Sequence, residues 1–98
     1  MKVYGSKICS GCREFKAMAE QRGLEVEFVE ITESVANLRA FLKLRDENPL
    51  FDAMRAEGRI GIPVFVNDDG QVTHDVNLAL SWIGQAPAEA ESTCEGCR

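Results

Sequence analysis

A chain of 98 residues with 45% hydrophobic and 28% charged side chains has room for one compact soluble domain, since domains run from about 50 to 250 residues. The formal net charge of −5 disfavours a nucleic-acid partner, which requires a concentrated basic surface. No apolar run approaches the roughly 18 residues of a spanning helix, and no signal-type stretch follows Met1-Lys2, so no membrane partner is expected and the expected compartment is the cytoplasm.

The first strand is predicted over residues 2–4, followed by a loop, Gly5-Ser6-Lys7-Ile8, that delivers a cysteine pair to the start of a helix. That helix is expected over 12–22, with Phe15, Met18 and Ala19 as its buried face and Gly23 as its stop. Residues 26–31 read as a second strand with apolar side chains on both faces, which favours a covered sheet. Ser34 offers a cap before a helix over 35–46, whose Leu38, Phe41 and Leu42 are expected to form a core stripe.

Asn48-Pro49 breaks that helix and restarts a shorter one with an apolar face of Leu50, Phe51 and Met54. A third strand is predicted over 62–66, a hairpin turn over 67–70 and a fourth strand over 71–73. Asp75 then caps a last helix through Val76, Ala79, Leu80 and Ile83. Periodicity ends there, so the reading is a domain over 1–84 and a mobile acidic tail over 85–98. The first strand-helix-strand unit demands parallel pairing and the tight 67–70 turn an antiparallel partner, giving an α/β fold with a four-stranded mixed sheet flanked by helices.

The four cysteines fall as two close pairs, Cys9-Ser10-Gly11-Cys12 and Cys94-Glu95-Gly96-Cys97. In a reducing compartment such spacing reads as redox chemistry or metal binding. A cysteine at a helix N-terminus sits at the positive end of the backbone dipole, which favours thiolate over thiol. Cys9 is therefore the expected attacking thiolate, with Lys7 adding a positive charge beside it. Cys12 lies within one helical turn and is the expected resolving thiol, so that the pair cycles between dithiol and disulfide. Ile62-Pro63 ahead of a strand reads either as a trans proline starting an edge strand or as a cis proline, which would expose the backbone groups of Ile62 to an extended substrate held against the cysteines.

From Met1 to about Gly84 the chain resembles the glutaredoxins of the thioredoxin superfamily, and more narrowly a group of short bacterial glutaredoxin-related proteins. The residues that carry the likeness are Tyr4, the Cys9-Ser10-Gly11-Cys12 motif, Phe15, the Gly61-Ile62-Pro63-Val64-Phe65-Val66 segment and the terminal amphipathic helix. The resemblance implies a thioredoxin-like fold with strands ordered second, first, third, fourth, a cis bond at Ile62-Pro63, and dithiol exchange. It implies a disulfide-containing protein or a low-molecular-weight thiol as substrate, a monomer, and no tightly bound cofactor. Where the family carries Pro-Tyr between the cysteines this chain has Ser10-Gly11, and where it carries Thr-Val before the cis proline this chain has Gly61-Ile62. Thr73-His74-Asp75 stands where glutathione-binding members have a Gly-Gly turn and acidic residues, and Asp75 is the position that matches a contact to glutathione as co-substrate.

Two binding roles compete with the oxidoreductase. Glutaredoxins with a small residue after the first cysteine, as at Ser10, hold a [2Fe-2S] cluster between two subunits with glutathione thiols completing the coordination. A structural zinc ion ligated by all four cysteines is the other. His74, the one histidine, reads as a surface or capping residue, and Cys94-Cys97 either as a tail dithiol for redox exchange or metal capture or as two exposed thiols without a defined role.

Overall fold

The computed structural model describes residues 1–87. Four strands, β1 (Lys2–Gly5), β2 (Glu27–Glu30), β3 (Val64–Val66) and β4 (Val72–Thr73), form one sheet in the order β2-β1-β3-β4. Helix α1 (Ser10–Arg22) carries the chain from β1 to β2, which pair in parallel with Val3 opposite Phe28. The two remaining pairings are antiparallel, Val3 facing Phe65 across β1 and β3, and Phe65 facing Thr73 across β3 and β4. Helices α2 (Val35–Glu47), α3 (Asp52–Glu57) and α4 (Val76–Trp82) complete the α/β architecture, with a 3-10 turn, Pro49–Phe51, leading into α3.

Alternation along the strands divides the apolar side chains between the two faces of the sheet. Val3 and Phe65 pack with Phe15 and Ala19 of α1 and Ala79 and Leu80 of α4, and Trp82 covers this cluster from its edge. Val64 faces the other way and packs with Phe41 of α2, Phe51, Ile31 and Ile62. Cys9 and Cys12, at the start of α1, belong to this second cluster. One face is therefore ordinary core, and the other is core that includes the cysteine motif.

The helix ends follow from the residues placed there. Ser34 accepts from the Asn37 N–H at 3.1 Å, Asn48 from the Leu50 N–H at 2.8 Å, and Asp75 from the Asn77 and Leu78 N–H groups at 2.9 and 3.4 Å. Each supplies an oxygen to a first-turn donor that has no partner within its own helix.

Several expectations need correction. Leu38 and Leu42 are 40% and 39% exposed, and Leu50 is 40% exposed, so α2 buries Phe41 at 1% rather than a broad stripe. The Phe41 ring fills the space between Tyr4 and Phe51, at centroid distances of 6.2 and 6.1 Å, and leaves its leucine neighbours at the rim. Strand β3 starts at Val64 rather than residue 62, because Pro63 has no N–H to give to a ladder. Helix α1 starts at Ser10 rather than residue 12, with Cys9 extended at φ −99°, ψ 125° as its N-cap.

The chain beyond Gly84 stays attached for three more residues. Gln85 N–H donates to the Leu80 carbonyl at 2.9 Å, and the Arg22 guanidinium donates to the carbonyls of Ala86 and Pro87 at 2.8 and 3.3 Å. Among the described residues no helix is long and apolar enough to cross a membrane.

Candidate functional site

The loop between β1 and α1 is held by a run of hydrogen bonds from the end of β2. Glu30 Oε1 accepts from the Lys7 N–H at 2.8 Å, and Oε2 accepts from the Thr32 N–H at 3.3 Å and from the Thr32 hydroxyl. The buried Ser6 hydroxyl lies 3.0 Å from Thr32 Oγ1 in a hydrogen bond and accepts from the Ile8 N–H at 3.2 Å. The Ser6 carbonyl then takes the Cys9 N–H at 3.0 Å, and the Cys9 carbonyl takes the Arg13 N–H at 3.0 Å as the first bond of α1. Cys9 is thus fixed at the N-cap of a 13-residue helix, at the positive end of its dipole.

The two sulfurs of the motif differ in state. Cys9 is disulfide-bonded and 6% exposed, whereas Cys12 is a free thiol with no exposure. Their sulfurs are therefore not joined to each other. Cys12 sits behind β1: a Cβ on Gly5 would come within 2.8 Å of its Sγ, so glycine at that position makes the seat for the thiol. Burial pushes the Cys12 thiol above its ordinary pKa; the Ser6 backbone and the Arg13 guanidinium oppose this and the Glu30 carboxylate adds to it. Burial acts in the same upward sense on Glu30, but the hydrogen bonds from Thr32, Lys7 and Ser6 outweigh it and hold that carboxyl below its usual value.

Among the other expected site residues, Ile62 is buried in the same cluster as both cysteines and Pro63 is half-buried, with the peptide between them cis. Lys7 serves through its backbone, its N–H on Glu30 and its carbonyl accepting from Arg13 Nη1 at 2.9 Å, while its side chain is exposed. The cation that acts on Cys12 is Arg13. The Asp75 carboxylate is engaged in capping α4.

Sequence reasoning passed over the residues that brace the Ile62-Pro63 segment. Gly61 has φ +92°, and a Cβ there would stand 2.8 Å from Phe51 Cε2, so both conformation and space call for glycine. His74, expected at the surface or as a cap, is half-buried: its Nε2 donates to the Gly61 carbonyl at 2.9 Å and its ring meets Phe51 edge-on at 4.8 Å. The signal that could have found it was its position directly after β4, the strand that pairs with β3 beyond the proline.

Iron-sulfur clusters and structural zinc take thiolate donors. Among the described residues no three His, Cys, Asp or Glu side chains gather as a donor set. Cys94 and Cys97, the expected further zinc ligands, lie outside the described residues. A surface depression of about 410 Å³, lined by Met1, Lys2, Glu27 and Asp68 among others, is at the opposite end of β1 from Cys9.

Fold and site together define a small α/β protein with a cysteine pair at a helix start, one sulfur in a disulfide and one a buried thiol. The chain belongs to the family of an uncharacterized protein of Haemophilus influenzae, to which it is 32% identical over 75 residues, 76% of this chain and 87% of that protein. No protein-family profile matches the chain, and no solved structure matches it.

Proposed function

We propose that the protein is a thiol-disulfide oxidoreductase, a glutaredoxin-like member of the thioredoxin fold, acting in the cytoplasm on protein disulfides or mixed disulfides of small thiols. The observation that carries this reading is the placement of Cys9: a cysteine at the N-cap of a 13-residue helix, with the Cys12 thiol one turn away in the same buried cluster. The strand order and the place of Ile62 in the same cluster as both cysteines support it.

In the reduced protein the helix dipole favours the Cys9 thiolate. That thiolate attacks one sulfur of the substrate disulfide, the substrate S–S bond breaks, and the second substrate sulfur leaves as a thiolate that takes a proton from solvent. Cys9 is left in a mixed disulfide, which a second thiol must attack to release the reduced substrate. Cys12 is near enough in sequence for that step, although its burial works against ionisation.

The test is reduction of insulin and of a glutathione mixed disulfide, each with glutathione or a dithiol as electron donor. Cys9→Ser should abolish turnover with every donor. Alkylation of the fully reduced protein at neutral pH should modify Cys9 first; faster modification of Cys12 overturns the assignment.

A further inference from the structure

His74 makes no bond to either sulfur in the exchange at Cys9, yet the fold ties it to the segment beside that sulfur. It stands directly after β4, with its Nε2 2.9 Å from the Gly61 carbonyl oxygen. A carbonyl oxygen only accepts, so Nε2 carries the proton of this bond. The ring is held in turn by Phe51, which it meets edge-on at 4.8 Å and which has no exposure. Both rings close on Gly61: a Cβ there would stand 2.8 and 2.9 Å from Phe51 Cε2 and Cδ2 and 3.4 Å from His74 Nε2.

The next residue, Ile62, is buried in one cluster with Cys9, Cys12 and Phe51, so the Gly61-Ile62 peptide lies beside the cysteine motif. Pro63 has no N–H, which makes Ile62 the last backbone donor before β3. Among the described residues no group accepts from that Ile62 N–H. The Gly61-Ile62 bond is trans, and a trans peptide is planar with its C=O and N–H pointing in opposite directions. Holding the Gly61 carbonyl on His74 therefore sets the direction of the Ile62 N–H. Gly61, at φ +92°, is the residue type least able to fix a peptide plane by its own preferences, so an anchor from outside has the most effect here.

We propose that His74 is a positioning residue for the reaction at Cys9: by holding the Gly61 carbonyl it aims the Ile62 N–H at the backbone of a substrate segment in disulfide exchange with Cys9. This rests on the oxidoreductase reading of Cys9. An extended segment beside the substrate half-cystine accepts from the Ile62 N–H while the Cys9 thiolate attacks the sulfur. The substrate S–S bond breaks, a bond between Cys9 and the substrate sulfur forms, and the leaving thiolate takes its proton from solvent. His74 touches neither the substrate nor the sulfurs and acts through the orientation of one peptide.

The experiment compares two reactions of the full, reduced chain. One is alkylation of Cys9 by iodoacetamide, which brings no extended segment. The other is attack on a peptide cysteine carrying a thionitrobenzoate leaving group, whose release is followed by absorbance. His74→Met and His74→Leu remove the donor; each should lower the rate with the peptide about three- to tenfold, the effect of one hydrogen bond, while alkylation changes by less than about twofold. His74→Gln, of the same length as His74→Met but with an amide donor, should recover most of the loss. Leu80→Val, which loosens the cluster on the other face of the sheet, should lower thermal stability without separating the two reactions. Rates are taken where circular dichroism shows each variant folded, and the comparison of His74→Gln with His74→Met decides the matter if His74→Leu does not fold. Equal effects on both reactions, or His74→Gln no better than His74→Met, overturns the role of His74 and leaves the oxidoreductase reading standing. If Cys9 of the wild type forms no mixed disulfide with the peptide, that underlying reading falls as well.

Discussion

Replacing Gly5 by alanine tests whether the seat of Cys12 is built by the absence of a side chain on β1. The added methyl would stand 2.8 Å from Cys12 Sγ, 3.0 Å from Phe28 Cζ and 3.3 Å from Cys12 Cβ. Unstrained carbon contacts lie at about 3.5–4.0 Å, so both side chains must move by several tenths of an ångström or more. Overpacking of this kind costs about 1–3 kcal/mol. Gly5 is not among the glycines with positive φ, so alanine also restricts the unfolded chain, which returns about 0.4–1 kcal/mol. The net loss is on the order of 1–2 kcal/mol, or roughly 4–16 °C in Tm for a domain of this size. Thermal melts of the reduced protein measure it. In a Cys12→Ala background the nearest obstacle is gone, and the same substitution should cost about 0.5–1.5 kcal/mol less, a coupling of the size neighbouring residues show. Equal losses in the two backgrounds would refute the steric account.

Glu30→Gln should destabilise the protein by about 1 kcal/mol at neutral pH, the low end for hydrogen bonds to a charged group because the carboxylate is partly exposed and screened. The folded carboxyl sits below its usual value, so its contribution is present above the unfolded glutamate pKa of about 4.3 and is lost as pH falls through the folded value. The gap between wild type and variant in urea unfolding should therefore close in acid, and a gap independent of pH would contradict this. At His74 the hydrogen bond to Gly61 and the ring contact with Phe51 are separable. His74→Gln keeps a donor and His74→Leu keeps apolar bulk, so each should unfold at a denaturant midpoint between wild type and His74→Ala, which loses about 1–3 kcal/mol; coincidence of all three variants would show that neither contact matters.

The order of the elements was legible because it is written locally. Gly23 ends α1, Ser34 and Asp75 cap α2 and α4, and the 67–70 turn closes the hairpin. Cys9 was legible for the same reason, as a cysteine before a helix. The residues that hold it were not. Glu30 reads in sequence as one more polar residue at a strand end, and it meets Lys7 only because β2 lies beside β1 in a parallel register that sets Gly5 opposite Glu30. Gly5 likewise looks like loop punctuation until the chain returns Cys12 behind it. Leu38 and Leu42 fit a helical stripe, but how wide a stripe is covered depends on what packs against it, and here Phe41 is buried with Leu44 partly covered beside it.

Cys9 and Cys12 are members of a hydrophobic core as well as of the cysteine motif, with Ile31, Phe41, Phe51, Ile62 and Val64 around them. Covalent state and folded state are then thermodynamically linked. Whatever free energy an oxidised Cys9 adds to or removes from the packing of this cluster must reappear, with opposite sign, in the potential at which Cys9 is reduced. Under the proposed oxidoreductase function, repacking at Phe41 or Phe51, both buried, would shift the potential of Cys9 without altering the exposed surface.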